Sequence, residues 1–239
     1  MQLFHEEHTI QNNNLIISNP DTIAQCRKVL RLKTGDIIHV QSTKANTTTR
    51  HLVRISDISQ TLIGEIIETT TKNKGENYTQ IFVAMPNKHD KLELIAQKLT
   101  ELGVDEIVFR PAERSIIKQR NKNKEQRLHL IVKEATEQSR GWFIPQISFR
   151  EHPEDTIQKD SIVYIFDKKE NATTSIESSS KKTGIIGPEG GLTEKDYNRF
   201  AKHTQKTYDL GSTILRMETA AIVGGWLLKS NFEHPKNLH

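Results

Sequence analysis

Two short stretches hold the residues whose types and spacing point to chemistry. The first runs Gly184-Ile-Ile-Gly-Pro-Glu-Gly-Gly-Leu-Thr-Glu-Lys-Asp196. Ile185 and Ile186 end an apolar run, Gly187 to Gly191 make a turn, and Thr193 with Asp196 forms an approximate capping box for a following helix. Glycine permits positive φ and close backbone approach to a ligand, while Pro188 fixes φ and removes a donor. Such a turn can bind a ligand through its backbone, and it can equally be a plain strand-to-helix connection. Two phosphate loops are excluded by spacing: no Gly-Lys-Ser/Thr follows, and the Gly-x-Gly-x-x-Gly pattern is missing. The second stretch, Leu210-Gly-Ser-Thr-Ile-Leu-Arg-Met-Glu-Thr-Ala-Ala221, again passes from strand to turn to helix. It puts Arg216 and Glu218 at the turn-to-helix junction.

The segments that must position these turns alternate strand and helix. Strands are expected at Ile81 to Ala84, Asp105 to Phe109, Ile162 to Phe166, Gly184 to Ile186 and Thr207 to Leu210. Between the first two, Asp90 can cap a helix whose Leu92, Ile95, Ala96, Leu99 and Leu102 share one face, with Gly103 placed to end it. A second helix is expected from about Lys124 to Ser139, with Leu128, Ile131, Val132 and Ala135 inward, and a last one from Met217 to Leu228. The alternation predicts an α/β domain with a parallel sheet and helices on both faces. Ligands gather at the carboxyl ends of strands in such sheets, and both turns fall at such ends. Lys168 to Thr183 is Ser/Thr/Lys-rich and reads as a loop or weak helix without chemistry of its own.

The N-terminal part differs. Ile37 to Val40, Arg50 to Ile55 and Leu62 to Glu68 look like short strands with partial alternation, separated by polar loops such as Thr43 to Thr49. Short strands closing on each other suggest a small barrel. Arg27, Lys28, Arg31, Lys33, Arg50 and Arg54 give it a positive balance. Thr69 to Asn77 is polar and aperiodic and reads as the linker, so the domains are expected at residues 1–70 and 71–239.

Composition bounds the rest. A chain of 239 residues suffices for one large domain or two small ones. Its 34 Lys and Arg against 30 Asp and Glu leave a formal charge of only +4, so the mean charge argues weakly for nucleic acid. The single cysteine, Cys26, cannot form an intrachain disulfide, and no Cys/His cluster has zinc spacing. Both fit a reducing cytoplasm. The first residues lack the basic start and apolar core of a signal peptide, and no apolar run reaches transmembrane length.

The ordered pair Gly-Pro-Glu-Gly-Gly (187 to 191) and Leu-Gly-x-x-Ile-Leu-Arg-x-Glu-Thr-Ala (210 to 220) resembles the RsmE family of SPOUT-class methyltransferases. The resemblance extends through Lys98 to Val104, Glu113 to Ser115 and Glu137 to Arg140, and so covers most of the chain. It implies methylation of N3 of a uridine in 16S ribosomal RNA, with S-adenosylmethionine as donor. It implies a C-terminal SPOUT-type trefoil-knotted α/β domain, a small N-terminal PUA-like RNA-binding β-barrel, and a homodimer. The small ribosomal subunit or its RNA would be the partner, and neither a metal nor a membrane is called for. Ile186, Gly187, Gly190, Leu210, Ile214 and Leu215 would form the adenine slot, with Glu189 near the sulfonium. Uracil N3 must lose a proton before it attacks, so Arg216 would stabilise the uracil anion and Glu218 would accept the proton or orient Arg216.

Arg31, Arg114 and Arg140 would contact the RNA. The tract Arg110, Arg114, Lys118, Arg120, Lys122, Lys124 and Arg127, continued by Lys133 and Arg140, reads as a phosphate-contacting surface. Where the family usually has Thr and often Arg, this chain has Met217 and Thr213. Those departures leave open a non-catalytic RNA-binding or ribosome-assembly factor; an enzyme of the same class acting on another RNA is a further alternative.

Overall fold

The computed structural model describes residues 1–116, 122–169 and 171–233. The chain forms two compact units. One comprises Met1–Lys74 with Thr136–Phe143, and the other Gly75–Ala135 with Ile144–His239.

The first unit is a six-stranded sheet in the order β1-β4-β5-β6-β3-β2. The strands are β1 (Leu3–His5), β2 (Thr9–Gln11), β3 (Asn14–Ile17), β4 (Ile37–Lys44), β5 (Thr47–Ile58) and β6 (Leu62–Asn73). Among the described residues no pairing joins the end strands β1 and β2. Helix α1 (Pro20–Ala24) is capped by the Asn19 side chain and runs into a π-helical turn, Gln25–Val29. Phe4, Leu15, Ile17, Ile38, Val40, Val53 and Ile55 pack with Ile23 and Cys26 as the core. Burial pushes the Cys26 thiol up to about 11, which leaves it a packing residue rather than a nucleophile. The threonines expected to lie in loops are strand: Thr43 and Thr47 to Thr49 belong to the β4–β5 hairpin, whose turn is Ala45 and Asn46. Thr69 to Asn73, expected in the linker, pair with Thr47 to His51. β-Branched threonine suits a ladder even where its composition resembles a loop.

The second unit is a parallel sheet in the order β12-β10-β11-β7-β8-β9. Its strands are β7 (Tyr78–Ala84), β8 (Glu106–Arg110), β9 (Gln146–Phe149), β10 (Ile162–Phe166), β11 (Lys181–Ile186) and β12 (Gln205–Tyr208). The helices are α2 (His89–Glu101), α3 (Lys122–Gln138), α4 (Glu194–Asn198) and α5 (Met217–Glu233). Alternate residues of each strand serve opposite faces. Ile81, Val83, Ile107, Phe109, Tyr164 and Ile186 pack with α2, α3 and α5, while Phe82, Val108, Val163, Ile165 and Ile185 pack with Tyr197 and Phe200. The expected parallel α/β layers are therefore present. After the edge strand β12, α5 returns to pack on β11, β7 and α2. Among the described residues, no helix is long and apolar enough to cross a membrane.

Candidate active site

The two glycine-containing turns meet at the carboxyl ends of β10 and β11, around a cleft of about 550 Å³. That volume is within the range of small-molecule sites. Phe166, Ile186, Leu192, Ile214, Leu215 and Met217 give it apolar surface. Asn87, Lys88, Lys91, Asp167, Glu189 and Arg216 supply the polar groups.

The first turn owes its shape to its sequence. A Cβ on Gly187 would come within 2.9 Å of Leu192 Cγ, and Gly191 has a φ of 77°, which glycine adopts without strain. The Gly191 N–H donates to the Pro188 carbonyl at 2.9 Å, closing the turn. Thr193 then starts α4 with the expected capping box: its hydroxyl accepts from the Asp196 N–H, and Asp196 accepts from the Thr193 N–H. The second turn is pinned by the Gly211 N–H donating to Asp209 Oδ1 at 2.9 Å and by Lys168 Nζ donating to the Ser212 carbonyl. The segment read as chemically idle thus fixes one of the two turns. Ile214, 91 % exposed, presents an open apolar side chain there.

At the centre of the charged lining is Lys91. Its Nζ donates to Glu189 Oε1 at 2.8 Å and lies 3.4 Å from Glu218 Oε2. Burial would raise the Glu189 carboxyl, but hydrogen bonds from Lys91 and from backbone N–H groups outweigh it and hold it below its ordinary value. The hydrogen bond to Glu189 holds the Lys91 ammonium above its own. Glu218 Oε2 is buried and accepts no well-formed hydrogen bond. Its carboxylate pairs with Lys91 rather than with Arg216, which is exposed on the cleft.

The other singled-out residues divide. Ile186, Gly187, Glu189, Ile214 and Leu215 line the cleft together. Gly190 does not; it faces Arg114, whose Nη1 donates to the Gly190 carbonyl at 2.9 Å and whose Cβ would stand 3.2 Å from an added Cβ. Leu210 is half-buried against the core. Arg31 and Arg140 belong to the first unit, both exposed and both at positive φ, 54° and 58°. There Arg50 donates to the Arg140 and Gly141 carbonyls and stacks 4.0 Å over Trp142.

The basic tract is not one surface. Arg110 is fully buried, bonded to Asp196 Oδ1 at 3.2 Å and lying 5.4 Å from the Phe200 ring centroid. Arg127 is paired with Glu93 at 2.6 Å. Lys118 and Arg120 lie outside the described residues. Asp90, expected to cap α2, sits in its first turn; the capping position is Lys88, which makes no side-chain cap bond.

Sequence reasoning missed Lys91 and Lys168. Lys91 had one available signal, since it lies in the first turn of the helix that follows β7, where the carboxyl-end rule puts ligand contacts.

Residues 74–228 match the family model described as the RNA methyltransferase domain. The chain is 30% identical over 229 residues to the Ribosomal RNA small subunit methyltransferase E of Rickettsia conorii, covering 92% of this chain and 91% of that protein. To the protein of the same name from Bacillus subtilis it is 35% identical over 175 residues, 66% of this chain and 68% of that one. Its fold is similar to the crystal structure of a Ribosomal RNA small subunit methyltransferase E from Neisseria gonorrhoeae bound to S-adenosyl methionine. That likeness has a TM-score of 0.80 at 22% identity, over 96% of this chain and 97% of the other. A family model over most of the second unit and a relative aligned almost end to end agree. The chain belongs to the RNA methyltransferase family and, within it, to the ribosomal RNA small subunit methyltransferase E proteins.

Proposed function

We propose that this protein transfers a methyl group from S-adenosylmethionine to N3 of a uridine in 16S ribosomal RNA, using the cleft between the two turns. The observation that carries the reading is the convergence of the glycine turn, Lys91, Glu189 and Arg216 on one cleft of about 550 Å³, with Glu218 paired to Lys91 beside it. The residues fit the donor. The Asp167 and Glu189 carboxylates stand beside apolar surface from Ile186, Ile214 and Leu215, which suits a sulfonium carrying an adenine ring. When bound, the donor supplies an electrophilic methyl group on a sulfonium. Ile186, Gly187, Ile214 and Leu215 would hold its adenine through backbone groups, with Gly190 and Leu210 supporting them from outside the cleft.

Arg216, exposed on the cleft, would offer its guanidinium to the negative charge that develops on a uracil oxygen. Glu218, whose side chain is 16 % exposed beside Lys91, would accept the proton that N3 loses or orient the groups that do. Alignment of nucleophile and methyl group then supplies much of the remaining barrier reduction. Arg31, Arg114 and Arg140 hold RNA phosphates, which orient the strand without choosing the base. We read the first unit as a PUA-like RNA-binding barrel and the second as the trefoil-knotted methyltransferase domain. The return of α5 from edge strand β12 to the middle of the sheet supports the knot. Trp226 on α5, 55 % exposed, supports a homodimer. The protein would work in the cytoplasm.

The test is transfer of labelled methyl from the donor to purified 16S ribosomal RNA and to small subunits. Incorporation by the wild-type protein, reduced about 10²- to 10³-fold in Arg216→Ala, is expected. No incorporation into either substrate would overturn the reading.

A further inference from the structure

Among the described residues, Lys91 is the cation whose contacts join the glycine turn to the start of α5. It projects from the first turn of α2, and its partners are remote in sequence: Glu189 is 98 residues away on the glycine turn, and Glu218 begins α5. The contacts are 2.8 and 3.4 Å. Both carboxylates thus lie within reach of one ammonium. The side chains are 22 %, 33 % and 16 % exposed for Lys91, Glu189 and Glu218, so the cluster is less screened than an open surface pair. Without the ammonium, two like charges would be left around one point beside the cleft, and like charges at that range repel or take up a proton.

We propose that Lys91 is a positioning residue for methyl transfer: its ammonium ties the Glu189 carboxylate to the Glu218 carboxylate and so holds the glycine turn and α5 in register around the donor. The proposal rests on the functional reading above and adds the residue that assembles the site. Lys91 acts through its partners. It pairs Glu218 Oε2 at 3.4 Å in place of Arg216, and it offsets one of the cluster's two negative charges.

This account makes the effect of Lys91 conditional on the carboxylates, and a double-mutant cycle reads that condition. Donor affinity is measured by titration calorimetry with S-adenosylmethionine for the wild type, Lys91→Met, Glu189→Gln and the double variant, with unfolding midpoints as the check on folding. Lys91→Met is expected to weaken donor binding about tenfold alone and less than about twofold in the Glu189→Gln background, as for a coupled charge pair. Lys91→Arg, which keeps the charge, is expected to restore most of the affinity. In methyl transfer, Lys91→Met is expected to lower kcat more than it raises KM for RNA. Should Lys91→Met not fold, Lys91→Gln completes the same cycle. Additive effects, or a Lys91→Arg variant no better than Lys91→Met, would overturn the proposal. A wild-type protein that binds no donor would instead sink the functional reading itself.

Discussion

Two ion clusters stand at the carboxyl ends of the same parallel sheet, and access to solvent separates them. Arg110 and Asp196, at the end of β8 and in the first turn of α4, are 0 % and 3 % exposed. Lys91, Glu189 and Glu218 line or adjoin an open cleft. Arg110 was expected on a phosphate-binding face, yet it spends its charge on Asp196 and the Phe200 ring, with Nε and Nη2 lacking a hydrogen-bond partner. Burial pushes its guanidinium below the ordinary value while Asp196 counters that shift. A charge sealed from water can hold a fold together but cannot meet a substrate; the same chemistry left half-open can. Position at a strand end is therefore insufficient to mark a functional charge, and accessibility decides.

The comparison is broken most directly from the sealed side. Asp196→Ala leaves the Arg110 guanidinium buried without its partner and is expected to cost about 3–5 kcal/mol of stability, read by urea unfolding. A loss below about 1 kcal/mol would mean that Arg110 reaches water. Next in size is Arg216→Ala on the open side, expected to cost about 3–4 kcal/mol in transition-state stabilisation with an unchanged unfolding midpoint. The two variants should thus split cleanly, one losing stability and the other rate.

Acid sharpens the same contrast. Burial raises the Asp196 carboxyl, but the Thr193 N–H and Arg110 outweigh it, so the net shift is downward from 3.8. A depressed carboxylate contributes stability that is fully present above the ordinary value and is lost as pH falls through the depressed one. Unfolding free energy should therefore decline below pH 3.8 in the wild type, and less steeply in Asp196→Asn. Equal slopes would remove Asp196 from the account. The smallest effect belongs to Gly190→Ala. Its Cβ would meet the Cβ of exposed Arg114 at 3.2 Å, so Arg114 must shift slightly; a stability change within about 0.5 kcal/mol and a loss of donor affinity below about twofold are expected for a residue that supports the slot from outside. A large loss of donor affinity would return Gly190 to the cleft.

Local pattern carried far into this fold, and distance set its limit. The periodic face of α2, the bounds of β10 and the Thr193–Asp196 capping box all depend on residues within a few positions of each other, and all appear as the sequence implies. The cleft-lining role of Ile186, Gly187, Glu189, Ile214 and Leu215 follows from two turns that each end a strand. What escaped was either short or remote. Strands β1, β2 and β3 have only three or four residues, although Asn12 and Asn13, with φ of 49° and 64°, are a recognisable hairpin turn. Lys91 meets Glu189 across 98 positions, and Arg110 meets Asp196 across 86. No window on the chain contains either pair, so neither the site's organising cation nor the burial of Arg110 was legible. The Arg50–Trp142 stack, likewise, joins residues far apart in the chain.

The central claim is uridine-N3 methylation through this cleft. Its most direct test is mass spectrometry of nucleosides from 16S ribosomal RNA of cells lacking the protein, complemented with either the intact gene or an Arg216→Ala copy. The account predicts that 3-methyluridine disappears on deletion, returns with the intact gene and stays absent with the variant. Unchanged 3-methyluridine in the deletion strain would contradict it.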